Sequence, residues 1–109
     1  PELNLADGLE GLEGFSHVWL VFVFHRNENR RAMTKVAPPR LEGEKVGVFS
    51  TRSPHRPNPI GLSAVKLERI ENGALYLSGV DLLDGTPVLD IKPYVPFADS
   101  IPESSGSWA

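Results

Sequence analysis

Residues 49–63 read FSTRSPHRPNPIGLS, and the rest of the chain is organised around them. The stretch leaves one apolar run at residues 46–49 and enters another at residues 60–65. Between the two runs stand Pro54, Pro57 and Pro59. Each proline fixes φ, removes a backbone donor and pushes the preceding residue towards an extended conformation. The pattern therefore excludes a helix and predicts a loop that is held in one shape between two strands.

The same loop carries three basic or titratable side chains, Arg52, His55 and Arg56. A guanidinium recognises anionic and planar groups with a rigid fork of donors. A stiff loop that presents two of them predicts a binding site for a ligand of that kind. The competing interpretation is a proline-rich surface connection whose charges are solvated.

The composition is that of one soluble domain. The chain has 109 residues, of which 40% are hydrophobic and 23% charged, and ten prolines and ten glycines favour short strands and turns. The absence of cysteine excludes disulfides and thiolate metal sites. The longest apolar run, residues 18–24, is too short to span a membrane, and no basic-then-apolar leader opens the chain. We therefore expect a cytoplasmic protein without membrane contact.

The charges are unevenly distributed. The net charge is −3, but residues 26–56 hold eight basic and three acidic residues, a local excess of +5. A basic zone on an acidic body favours docking onto a polyanion at one face. A solvated basic face is the alternative on charge alone.

The strand pattern predicts an all-β, mainly antiparallel fold with short helical segments. Five strands are predicted, at residues 17–25, 46–49, 61–70 (with a bulge), 74–80 and 87–92. The first is apolar on both faces and is expected at the centre of the sheet. Asn72-Gly73 predicts a hairpin turn. Strands joined by short turns predict a small β-barrel, because closure leaves no open edge.

The two ends of the chain are expected to be less regular. Leucines and Phe15 at helical spacing predict a short helix over residues 5–15, with Asp7 as its N-cap. Residues 26–37 are predicted to form a loop, and residues from Pro93 onwards a tail or the start of a linker.

Few residues outside the central loop suggest chemistry. The spacing of His17, His25 and His55 fits no short metal-binding motif, so no metal is predicted. On a strand, Asp90 and Lys92 point to one face, which predicts a buried or half-buried ion pair beside Tyr94. An ordinary ion pair at a strand end is the competing interpretation. The turn at residues 82–85 either binds a ligand through its backbone groups or is a plain turn.

Three longer motifs resemble one family. STRSPHRPNPIGLS (residues 50–63), GLEGFSH (11–17) and DGTPVLDIKPY (84–94) are closely similar to the TsaA-like domain. Its best understood members are the TrmO-type tRNA N6-methyltransferases. The resemblance implies a small, homodimeric β-barrel enzyme that is distinct from Rossmann-type methyltransferases. It implies that S-adenosylmethionine is used to methylate N6 of threonylcarbamoyladenosine at position 37 of threonine tRNAs.

The resemblance also implies a set of cofactor-binding residues: His25, Arg26, Arg52, Leu62, Leu82, Leu83, Asp84 and Gly85. We infer that Arg52 and His25 meet the carboxylate of S-adenosylmethionine, and that backbone groups at Leu62 and residues 82–85 bind the adenine edge. For tRNA we expect contacts from Arg30, Arg31, Arg40, Arg56 and Asn58.

The chain departs from the family at its ends. Members usually begin with a strand and a Pro-Arg-Gln element that touches the cofactor, and bacterial members continue into a smaller C-terminal domain. We therefore expect residues 1–97 to be the TsaA-like domain without its first strand, and residues 98–109 to be a tail towards an absent domain. The cofactor pocket is expected to lack the residues of that first element.

The catalytic base is left open by the sequence. N6 of the modified adenosine is urea-like and a poor nucleophile, so a base is expected to take its proton. Asp90, with Tyr94 stacking on the substrate base, and His25 are the candidates. The alternatives to an enzyme are a non-catalytic S-adenosylmethionine-binding module and an RNA-binding β-barrel without a cofactor.

Overall fold

The computed structural model describes residues 6–24, 33–80, 82 and 85–106, with the side chain of Arg40 left out. Strands dominate these residues and helices are short. The strands are β1 (His17–Val23), β2 (Lys35–Val36), β3 (Val46–Gly47), β4 (Ile60–Glu71), β5 (Ala74–Ser78) and β6 (Val88–Pro93). One α-helix, α1, spans Pro96–Asp99, and single 3₁₀ turns lie at Asp7–Leu9, Leu12–Gly14, Pro39–Leu41 and Val48–Ser50.

Four of the strands form one antiparallel sheet in the order β5-β4-β1-β6. β1 is paired on both sides, so the prediction of a central first strand is confirmed. Its β-branched and aromatic residues suit a strand that is covered on both edges. β2 and β3 form a separate antiparallel pair.

The core lies on one face of this sheet. Val18, Leu20 and Phe22 of β1 alternate with residues of the other face and are almost completely buried, together with Val65 and Leu67 of β4. Opposite Phe22 stands Gly61, where a side-chain Cβ would overlap the aromatic ring. A glycine at this position therefore lets the ring lie flat against the backbone of β4.

The hairpin between β4 and β5 matches its prediction. Asn72 and Gly73 have φ angles of 51° and 75°, the left-handed conformations that a two-residue turn of this kind needs. The expected bulge is present as well, because the pairing of β4 with β5 shifts between Leu67 and Arg69.

Some elements differ from the prediction. The strand expected at residues 46–49 ends at Gly47, because the hydroxyls of Ser50 and Thr51 donate to the carbonyls of Gly47 and Val48 and turn the chain. The predicted N-terminal helix is replaced by two 3₁₀ turns, consistent with the cost of its glycines. The N-cap of the first is Ala6 rather than Asp7, and it makes no side-chain cap bond.

The sheet is open in the described part of the chain, since β5 and β6 each pair on one side only. Barrel closure therefore stays a prediction. In place of the tail expected from Pro93, residue 93 completes β6 and α1 follows. The domain boundary at residue 97 stays a prediction. Among the described residues, no helix combines the length and apolar character needed to cross a membrane.

Candidate active site

A cavity of about 880 Å³ lies where the proline-rich loop meets β1 and β4. Its floor is formed by the face of the sheet opposite the core, and Phe22, Gly61 and Ser63 of the core face line the cavity as well. Residues that stand opposite each other in an antiparallel pair share a face, and Trp19 lies opposite Ala64 and Val23 opposite Ile60. All four of these residues line the cavity. The floor is therefore apolar and includes one large aromatic ring.

The loop above this floor is fixed by its own hydrogen bonds. Thr51 Oγ1 accepts a bond from the backbone N–H of Ser53 at 3.2 Å, and Ser53 Oγ accepts one from that of His55 at 3.1 Å. The Pro59 carbonyl accepts a bond from Phe24 N at 2.8 Å, which ties the end of the loop to the end of β1. The loop is thus pre-shaped, as its prolines predict.

Arg56 contributes to this shape. Its Nη1 donates to the carbonyl oxygens of Thr51 and Ser53, at 2.9 and 3.2 Å, and its guanidinium lies 6.0 Å from the centre of the Phe49 ring. The sequence predicted a tRNA contact for this residue. The structure adds a role that the sequence did not predict, which is to hold the backbone on both sides of Arg52 through the carbonyls of Thr51 and Ser53.

Three of the predicted cofactor-binding residues lie together. Arg52, Leu62 and Leu82 come from the loop, from β4 and from the connection before β6, and all line the same cavity. Thr86, the neighbour of Gly85, lines it too, and Gly85 has a φ of 81° that suits a tight turn. Arg52 lines the cavity and is solvent-exposed.

The remaining predicted residues fall into two groups. Those outside the described residues are His25, Arg26, Arg30, Arg31, Leu83 and Asp84, together with the side chain of Arg40. Asn58 is described and exposed in the loop, where its carbonyl accepts a bond from Ile60 N at 2.8 Å.

Asp90 and Lys92 form the predicted ion pair, with Lys92 Nζ 3.2 Å from Asp90 Oδ2. The pair is exposed rather than half-buried, because β6 is an edge strand in the described sheet. Asp90 stands opposite Val21 and Lys92 opposite Trp19, so both share the face of the cavity floor. The bonds from Lys92 and from the backbone N–H of Ile91 lower the pKa of Asp90. Asp90 is therefore an ionised carboxylate one strand away from the cavity.

Tyr94 lies beside the cavity rather than in its wall. Its ring is 5.4 Å from that of Trp19 with an interplanar angle of 49°, and its backbone N–H donates to the His17 carbonyl at 3.0 Å. Sequence reasoning missed Trp19, which was read only as part of an apolar strand. The alternation of β1 offered a signal, because Trp19 falls on the face opposite Val18, Leu20 and Phe22.

The whole chain was also compared with models of known protein families. Residues 1–100 match the model of the tRNA-methyltransferase O N-terminal domain. The chain belongs to this family. The resemblance in its three long motifs is thereby confirmed.

Named relatives and solved structures are similar over most of this chain. A tRNA (adenine(37)-N6)-methyltransferase of Mus musculus is 65% identical over 97 residues, which are 89% of this chain and 22% of the relative. A putative S-adenosylmethionine-dependent methyltransferase RcsF of Pseudomonas aeruginosa is 56% identical over 110 residues, 100% of this chain and 46% of the relative. The crystal structure of TrmO from Pseudomonas aeruginosa is 51% identical, with a TM-score of 0.75 over 95% of this chain and 42% of that one. The chain thus spans less than half of the length of each of these three proteins.

Proposed function

We propose that this domain binds S-adenosylmethionine and methylates N6 of adenine 37 in tRNA. The observation that carries the proposal is the convergence of Arg52, Leu62 and Leu82 on one cavity with an apolar floor. The names of the relatives from Mus musculus and Pseudomonas aeruginosa support the reaction and the cofactor.

The donor set of the cavity fits the cofactor. A cavity of about 880 Å³ lies within the usual range for small-molecule sites. Arg52 offers a fork of N–H donors to a carboxylate, and Trp19 and Leu62 offer apolar surface to a nucleoside. The backbone at Leu82 and Gly85 is proposed to meet the adenine edge, together with Leu83 and Asp84. His25 and Arg26 are proposed to complete the site.

The chain's own residues then have four tasks. When bound, S-adenosylmethionine would supply the methyl group from its positively charged sulfur, and the sulfur would keep the electron pair of the broken C–S bond. Arg52 holds the amino-acid end, and the apolar floor excludes water around the reacting atoms. Tyr94 is proposed to stack on the substrate base. Asp90, or otherwise His25, takes the proton that N6 loses.

The finer substrate and the partners follow the same proposal. We take the adenosine to be threonylcarbamoylated and the tRNA to be a threonine tRNA. Its phosphates are proposed to meet Arg30, Arg31, Arg40, Arg56 and Asn58. The cytoplasm is proposed as the compartment, and a homodimer is proposed, as the family resemblance implies. Sedimentation of the full-length protein tests this, with a mass of two chains expected.

The enzyme reading is tested by methylation of threonylcarbamoylated tRNA with the full-length protein. Transfer of a labelled methyl group to adenine 37 is expected. Binding of S-adenosylmethionine without transfer would reject the enzyme and favour the non-catalytic binding module. Asp90→Asn is expected to reduce turnover by about 10²- to 10⁴-fold with unchanged cofactor affinity. Full turnover of this variant would remove Asp90 as the base. Glu68→Gln is the control, because it neutralises an exposed carboxylate on a different strand, β4.

A further inference from the structure

Trp19 is held by a residue that lies 80 positions later in the chain. Its Nε1–H donates to Asp99 Oδ2 at a distance of 3.0 Å. Trp19 belongs to the floor of the cavity, whereas Asp99 ends α1 beyond the last strand. The hydrogen bond therefore connects the C-terminal turn to the wall of the candidate active site.

Asp99 also closes the turn that carries it. Its Oδ2 accepts a bond from the backbone N–H of Val95 at 2.8 Å, and its own N–H donates to the Val95 carbonyl at 2.8 Å. A helix of four residues has little stability by itself. Phe97, the large apolar side chain of the turn, is 92% exposed and does not anchor it. The Asp99 carboxylate is therefore a principal link between this turn and the sheet.

The same bond restricts the indole. An N–H bonded to a fixed carboxylate leaves few orientations for the ring, and Tyr94 packs against the ring at 5.4 Å. The indole consequently forms a fixed, flat, apolar part of the cavity floor.

We propose that Trp19 is a stacking surface for an adenine ring, and that Asp99 is the positioning residue that keeps the indole in place. The proposal rests on the function proposed above, in which two adenine rings enter the site. One belongs to S-adenosylmethionine and the other to the tRNA nucleotide. Each has a π-face that an indole binds without regard to its edge groups.

The two sources are separated by two measurements on the full-length protein. Calorimetry with S-adenosylhomocysteine, without tRNA, reports on the adenine of the cofactor. The KM for tRNA at saturating S-adenosylmethionine, with kcat measured alongside, reports on the adenine of the substrate. Stacking on one aromatic side chain changes affinity by about 5- to 150-fold. Trp19→Ala is expected to weaken one of the two affinities by such a factor, and the one that weakens identifies the source.

The positioning role of Asp99 has its own readout. In a background where Trp108 and any further tryptophan of the full-length protein are replaced by phenylalanine, fluorescence comes from Trp19 alone. Ligand binding is expected to quench this emission. Asp99→Ala is expected to shift the emission maximum and to weaken the same affinity as Trp19→Ala. Asp99→Asn, which keeps an acceptor oxygen for the indole N–H, is expected to restore most of that affinity.

Glu68→Gln is the matched control. Glu68 is also an exposed carboxylate that accepts a side-chain hydrogen bond, from Ser78 Oγ at 2.6 Å, but it does not line the cavity. This variant is expected to leave the emission and both affinities unchanged.

The two proposals fail in different ways. If the wild-type protein neither binds S-adenosylhomocysteine nor methylates tRNA, the proposed function is wrong and this inference falls with it. If the wild-type protein does both, but Trp19→Ala and Asp99→Ala retain both affinities within about 2-fold, only the present inference is overturned. Trp19→Phe is the control for a folding defect, because it keeps an aromatic ring on the cavity face of the sheet. It is expected to lose less affinity than Trp19→Ala.

Discussion

Gly61 of β4 is predicted to be a position where a larger residue destabilises the fold. A Cβ at this position would lie 3.0 Å from Cε1 of Phe22 and closer still to two other ring atoms. Phe22 is 5% exposed and packs in the core, so a shift of its ring disturbs the packing of its core neighbours. Overpacking of this kind costs about 1–3 kcal/mol. Against it stands a gain of about 0.4–1 kcal/mol from the stiffer unfolded chain.

We therefore expect Gly61→Ala to lower the free energy of unfolding by about 1–2 kcal/mol in urea denaturation. Gly47→Ala is the control, because a Cβ there meets no atom within 4 Å and φ is −59°. It is expected to be neutral or slightly stabilising. Combining Gly61→Ala with Phe22→Leu is expected to cost less than the sum of the two changes. Equal stability of Gly61→Ala and Gly47→Ala would refute the reasoning.

Two other residues yield predictions of the same kind. Arg56→Ala removes the bonds to the carbonyls of Thr51 and Ser53. It is therefore expected to speed hydrogen exchange at the backbone amides of Ser53 and His55. Arg69→Ala, which replaces an exposed arginine of β4, is the control and is expected to leave both exchange rates unchanged. The pKa of Asp99 is lowered from 3.8, first by the hydrogen bond from the Val95 N–H and then by that from Trp19. The stability that the Asp99 carboxylate contributes is therefore present above about pH 3.8, and it is lost as the pH falls through the pKa of the folded state. Trp19 emission should therefore be constant from neutral pH down to about pH 4 and change only below it, and a similar acid step in Asp99→Asn would contradict this assignment.

The elements that could be predicted from the sequence are those with a local signal. The β-branched and aromatic run of β1 and the Asn72-Gly73 turn each depend on neighbouring residues. The stiffness of the central loop follows from the fixed φ of Pro54, Pro57 and Pro59. These features needed no knowledge of distant contacts.

The missed features depend on contacts between distant residues or on side-chain geometry. The bond between Trp19 and Asp99 joins residues that are 80 positions apart, and neither residue type predicts such a partner. The short pair of β2 with β3 has only two residues in each strand, too few for a period to appear. For Arg56 the sequence predicted only a tRNA contact, because its bonds to two carbonyls depend on how the loop folds back on itself.

The proposed function depends most on Arg52 as the anchor for the amino-acid end of S-adenosylmethionine. Calorimetry of the full-length protein with S-adenosylmethionine is the most direct test, with Arg52→Ala compared to wild type and to Arg69→Ala. A charge-assisted bond to a carboxylate contributes about 1.5–3 kcal/mol. Arg52→Ala is therefore expected to weaken binding by about 10- to 150-fold, while Arg69→Ala binds as wild type. Equal affinity of all three proteins would contradict the account.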